Sequence, residues 1–100
     1  MDQRRSERIY ELLHRATLLL PRAAKENDTP LLAGPIVMSW SAAKEFLENR
    51  EYGLALEVLI HLGHSYDASG AYWYLIDDAA DLIGRRSDYV AAVRRRLKDG

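Results

Sequence analysis

The chain has 100 residues, enough for one hydrophobic core and too few for two. Hydrophobic residues make up 48% and charged residues 29%, the balance of a folded globule and not of a disordered tail. The absence of cysteine excludes disulfides, thiolate nucleophiles and sulfur-ligated zinc.

The net charge of −1 conceals a segregation: residues 1–40 carry +1, residues 41–84 carry −6 and residues 85–100 carry +4. An acidic middle argues against nonspecific nucleic-acid binding, which rewards a continuous positive face, and for a partner that is itself positive. The early run ATLLL follows His14 and Arg15 and is too short for a signal core. No stretch approaches the ~18 uninterrupted apolar residues of a membrane span. The expectation is a soluble, cytoplasmic protein that does not enter the membrane.

In chain order, Ile9, Leu12, Leu13, Ala16, Leu19 and Leu20 form one helical stripe over Gln3 to Leu20. Pro21 ends or bends that helix, and Arg22 to Glu26 can add one turn. The arginines at 4, 5, 8 and 15 read as a solvated face. The stretch Asn27 to Met38, NDTPLLAGPIVM, holds two prolines and a glycine and cannot be regular helix. Its apolar residues suit a structured loop capping the core; a partner-binding loop is the sharper alternative.

Ser39 or Ser41 can cap the next helix, which runs to about Asn49 with Trp40, Ala43, Phe46 and Leu47 inward. Asn49 tolerates the left-handed conformation of a helix C-terminus, and Glu51 falls in the first turn of the helix that follows, favourable to its exposed amides. Gly53 and Ala55 suit a tight corner between two helices. Leu54 to Leu62 is apolar almost all round, the mark of a helix buried on several sides. Glu57, His61 and His64 share one polar stripe on it, but a single stripe without an obvious fourth ligand does not make a zinc site. Gly63 reads as the helix stop, and His64 to Gly70 as a polar connection.

In the next helix, AYWYLIDDAADLIG, Tyr72, Leu75, Ile76, Ala79, Leu82 and Ile83 make an apolar face that Trp73 and Ala80 widen. Tyr74, Asp77, Asp78 and Asp81 remain as a narrow stripe. Three like charges within about two turns disfavour the helix by a few tenths of a kcal/mol per pair. Two readings stand: a solvated face neutralised by the C-terminal arginines, or a docking stripe for a cationic protein with Tyr74 as aromatic anchor. No nucleophile, basic clamp or glycine-rich loop accompanies the aspartates, so they suggest neither catalysis nor magnesium binding. The sequence calls for no cofactor and no metal. A last helix, Ser87 to Lys98, buries Tyr89, Val90, Val93 and Leu97 and carries Arg94, Arg95, Arg96 and Lys98 in its final turns, where positive charge suits the helix dipole.

The stretch ENREYGLALEVLIHLG, followed by YWYLIDDAADLIG, resembles the small helical immunity proteins of the MafI type from bacterial polymorphic toxin systems. Glu51, Tyr52, Gly53, Ala55, Leu56 and Glu57 carry the resemblance, with Asp81, Leu82, Ile83 and Gly84 after them; it covers a little over a third of the chain. It implies a protein that is not an enzyme and that blocks a cognate toxin domain by binding it. Many such toxins are nucleases with basic clefts, which an acidic inhibitor would match.

The resulting expectation is a single all-α domain, a bundle of four to five helices spanning residues 1–100. Its function would be stoichiometric neutralisation of a toxin through Glu48, Glu51, Glu57, Tyr74, Asp77, Asp78 and Asp81. A regulatory or adaptor protein with a non-toxin partner is one rival. A nucleic-acid-binding domain using Arg85, Arg86 and the basic residues from Arg94 to Lys98 is the other.

Overall fold

A computed structural model of the chain describes residues 3–26, 31–33 and 36–84, and within them the fold is all-α, with five helices and one short ribbon. The expected last helix, with its arginines, lies outside the described residues, as do residues 27–30, 34 and 35.

Helix α1, Gln3–Leu19, buries Ile9, Leu12, Leu13, Ala16 and Thr17, and Leu20 closes the stripe just beyond its end. Leu19, expected inward, is exposed, and Thr17 takes the flanking place in the core. The reason lies in what covers each edge: Trp40 packs over the Thr17 side, its Nε1 donating to the Thr17 carbonyl at 3.2 Å. Thr17 satisfies its own hydroxyl by donating to the His14 carbonyl, 2.6 Å away. Pro21 ends α1, and Arg22–Glu26 forms the single extra turn α2, whose Lys25 Nζ donates to the Leu18 carbonyl at 2.7 Å.

The proline- and glycine-bearing segment forms a two-stranded antiparallel ribbon, β1 (Leu31–Ala33) with β2 (Ile36–Met38), in the register Leu31 to Met38 and Ala33 to Ile36. Met38 is buried in the core and β2 packs on the helices that follow.

Helix α3, Trp40–Glu48, is capped by Ser39, whose Oγ accepts from the Ala42 amide at 3.0 Å. It runs antiparallel to α1: Trp40 meets Thr17 at one end, and the Tyr10 hydroxyl donates to Glu48 at the other, at 2.6 Å. The helix ends with the Arg50 amide donating to the Leu47 carbonyl (3.0 Å) and the Glu51 amide to the Phe46 carbonyl (2.8 Å), the paired bonds of a Schellman turn. The left-handed residue in that turn is Arg50, φ 59°, and not Asn49, whose φ is −83°. The turn geometry places the left-handed position one residue beyond the cap, and arginine occupies it.

Helix α4, Tyr52–Ser65, begins at Glu51, which caps it without a side-chain hydrogen bond. It buries Tyr52, Ala55, Leu56, Val58, Leu59, Leu62 and Gly63 and touches α1, α3, α5 and β2, the many-sided burial its composition requires. Gly63 is not its stop. The helix continues to Ser65 and turns at Asp67, φ 53°, with the Ala68 amide donating to the Gly63 carbonyl at 2.9 Å. Gly63 instead admits two aromatic rings: a Cβ there would lie 2.6 Å from Tyr72 Cε1 and 2.7 Å from Trp73 Cζ2.

Helix α5, Gly70–Ile83, is capped by Ser69 and ends at Gly84, φ 84°. It folds back along α4 and packs against α1. Tyr72, Trp73, Ile76, Ala79 and Ala80 are buried; the Tyr72 hydroxyl donates to the Leu59 carbonyl, and burial holds that phenol well above its ordinary titration range. Trp73 is core, edge-on to Tyr72 and in contact with the His64 ring at 4.7 Å. Trp40 is half-buried beneath Lys44, whose ammonium sits 4.4 Å from the ring centre.

Candidate functional site

The solvent side of α5 follows from its helical period. With Tyr72, Ile76 and Ala79 turned into the core, Tyr74, Asp78 and Asp81 must face out, and all three are exposed, Tyr74 at 65%. Asp77 lies to one side of this line, on the flank of Trp73 and Ala80, and is half-buried. Asp78 is the member of the line nearest the other flank, that of Ala71 and Leu75.

That second flank borders α1. Arg15, Leu18 and Leu19 of α1 and Ala71 and Leu75 of α5 line an open hollow of about 390 Å³. Leu18 and Leu19 are 57% and 45% exposed, and with Tyr74 they are the most exposed large apolar side chains among the described residues. Arg15 is ion-paired to Glu11 on its own helix, Nη2 to Oε1 at 3.0 Å, and Arg8 approaches the other oxygen of the same carboxylate at 3.5 Å, so one acid serves two guanidinium groups and this lip keeps a positive charge.

Glu48 and Glu51 belong to a different part of the molecule, the corner between α3 and α4. Glu7, Tyr10, Glu48 and Arg50 surround a hollow of about 250 Å³ there. Glu48 accepts the Tyr10 hydroxyl, and that bond, aided by burial and the carboxylate's charge, raises the Tyr10 phenol above its ordinary value. Beside it the Tyr52 hydroxyl lies 2.9 Å from Ser6 Oγ and accepts from Arg50 Nη1 at 3.2 Å. These contacts tie the N-terminal half of α1 to the corner, giving Glu48 a structural task. Glu57 sits half-buried on α4.

The structure thus gathers Tyr74, Asp78 and Asp81 on one exposed face, sets Asp77 at its edge, and places Glu48 and Glu51 at the α3–α4 corner. Leu18 and Leu19, next to that face, are absent from the sequence-based site. A signal for Leu18 exists: it lies nine residues from Ile9, about two and a half turns, and so points away from the stripe it adjoins.

The stripe Glu57, His61 and His64 has the His64 ring packed at a tilt against Trp73, and among the described residues no group of three or more His, Asp or Glu side chains is arranged to hold a metal ion. No helix among the described residues is long and apolar enough to cross a membrane. What the α5 face offers chemically is carboxylate charge beside apolar area, the means of binding a protein. Comparison with known proteins finds no family model, no curated protein and no solved structure that matches the chain.

Proposed function

We propose that this chain is an immunity protein of the MafI kind, which binds a cognate bacterial toxin domain one-to-one in the cytoplasm and performs no catalysis of its own. The observation that carries the reading is the outer face of α5, where an exposed tyrosine stands in line with the exposed carboxylates of Asp78 and Asp81. Tyrosine is a preferred interface anchor because it brings large rigid area and a polar tip, while rim carboxylates speed encounter with a basic partner. The segment Glu51 to Glu57 and the ending Asp81 to Gly84, which carry the family resemblance, form the first turns of α4 and the last turn of α5. A toxin that cleaves nucleic acid needs a positive cleft, and this face would compete with phosphate for it.

The immunity reading expects a long secreted protein with a toxic C-terminal domain to be encoded immediately upstream, and co-expression with that domain tests the proposal. The expected outcome is restored growth and a 1:1 complex on size-exclusion chromatography. A toxin domain that remains lethal and elutes separately would overturn it.

A further inference from the structure

We propose that the hollow between α1 and α5 fixes how a protein partner is seated: it receives an apolar side chain of that partner together with a neighbouring carboxylate, which Arg15 grips. This rests on the immunity reading above and adds to it the contact that would orient the toxin domain.

The lining selects the apolar half of that pair. Leu18 and Leu19 from the end of α1 and Ala71 and Leu75 from the start of α5 surround the hollow, and Arg15 is the only charged residue among the described ones that line it. Isolated exposed leucines are ordinary on soluble proteins. Two of them at the rim of an apolar concavity offer a partner side chain surface to desolvate. The small side chain of Ala71 leaves the concavity open, since a larger residue at this exposed first-turn position would fill it.

The charge around the hollow selects the other half. Arg8 and Arg15 share Glu11, at 3.5 and 3.0 Å, which leaves a net positive charge on the α1 lip. Lys25 brings a further cation, its Nζ donating to the Leu18 carbonyl at 2.7 Å and offsetting the negative end of the α1 dipole. Ala71 belongs to the first turn of α5, whose amide end is itself partially positive. An exposed ion pair such as Arg15–Glu11 holds its partners weakly, so Arg15 can turn to an incoming carboxylate and bind it through two parallel N–H bonds. Asp78, about one turn beyond Leu75, has the opposite sign and directs the occupant's acid toward α1. The carboxylates of α5 attract a basic domain in many orientations, whereas a positive lip beside them accepts few. Paired signs of this kind set register and exclude wrong partners.

The test is isothermal titration and stopped-flow mixing of the full chain with the toxic domain expected immediately upstream. The variants are Arg15→Gln, Arg15→Glu and Ala71→Phe, all at exposed positions, with Glu45→Gln, an exposed site on α3, as control. Far-UV circular dichroism melts establish that each variant folds. Ala71→Phe is expected to bind roughly 30-fold more weakly, the loss typical of a central anchor. Arg15→Gln should bind roughly tenfold more weakly, chiefly through faster dissociation, as removing one half of a hydrogen-bonded charge pair requires. Arg15→Glu should be weaker still, and the control should stay within about twofold. Tighter binding by Arg15→Glu would show a cationic occupant and overturn the proposal. Wild-type protein that binds the toxin domain while Ala71→Phe and Arg15→Gln bind equally well would overturn it and leave the immunity reading standing. Wild-type protein that fails to bind would overturn both. Sedimentation showing a wild-type dimer that Ala71→Phe dissolves would assign the hollow to self-association and overturn the proposal.

Discussion

Gly63 shows how one residue's surroundings can outweigh its intrinsic preference. In the interior of α4 a glycine disfavours the helix by about 1 kcal/mol relative to alanine, so alanine there should stabilise if propensity ruled. The Cβ it adds would stand 2.6 to 2.8 Å from the rings of Tyr72 and Trp73. Those rings are themselves fixed, Tyr72 by its bond to the Leu59 carbonyl and Trp73 by burial. Overpacking a rigid site costs about 1–3 kcal/mol or more, so the clash exceeds the gain in propensity. Gly63→Ala is therefore expected to lower stability by about 1–2 kcal/mol net, read as an earlier midpoint in urea unfolding at unchanged slope; a later midpoint would show that the rings yield. The sequence marks Gly63 as a helix stop, because a glycine after an apolar run is the usual stop signal. Its actual role depends on a helix that returns from the next segment, and no local pattern records that contact.

Among the elements, those with chemical punctuation were the legible ones. Pro21 ends α1 and Ser39 caps α3, each by a mechanism that acts within a few residues; Ser69 and Gly84 bracket α5 in the same local way, although read from the sequence Ser69 belongs to the connection and Gly84 marks no stop. The ribbon was not legible, since three-residue strands are too short to display alternation. Nor were the left-handed turns at Arg50 and Asp67, because neither residue is the glycine or asparagine that usually signals one. The α3–α4 corner makes this measurable. Arginine in a left-handed conformation carries a penalty of about 1 kcal/mol that glycine escapes, while the long, part-buried bond from Arg50 to the Tyr52 hydroxyl returns only part of it. Comparing Arg50→Gly with Arg50→Ala removes the side chain from both and leaves the backbone term. The glycine variant should be the more stable by about 1 kcal/mol, several degrees in thermal midpoint for a chain of this size, and equal midpoints would mean that the corner does not hold residue 50 in the left-handed state.

For the whole molecule, the acidic excess read along the chain is divided by the fold. Glu48 and Glu51 gather at the α3–α4 corner, where Glu48 is engaged by Tyr10, and Asp78 and Asp81 line the outer side of α5. Chain position says how many carboxylates a segment holds; only the packing of α5 against α1 and α4 decides which of them share a face, and sequence-based reasoning merges the two groups for that reason. The apolar hollow escapes it too, because its lining is shared between two helices distant in the chain. If the α5 face is where a basic toxin first arrives, its charge should act on encounter more than on residence. Rim charges alter association rate and its salt dependence, whereas groups desolvated in the contact alter dissociation. Asp78→Lys is thus expected to slow association with the toxin domain by about three- to tenfold at low salt and to change dissociation by less than about twofold. The two proteins' association rates should converge as ionic strength rises toward 1 M and the screening length shrinks to about 3 Å. Stopped-flow mixing across a salt series separates these outcomes. An altered dissociation rate would place Asp78 inside the desolvated contact, and unchanged rates throughout would remove the α5 carboxylates from the approach path.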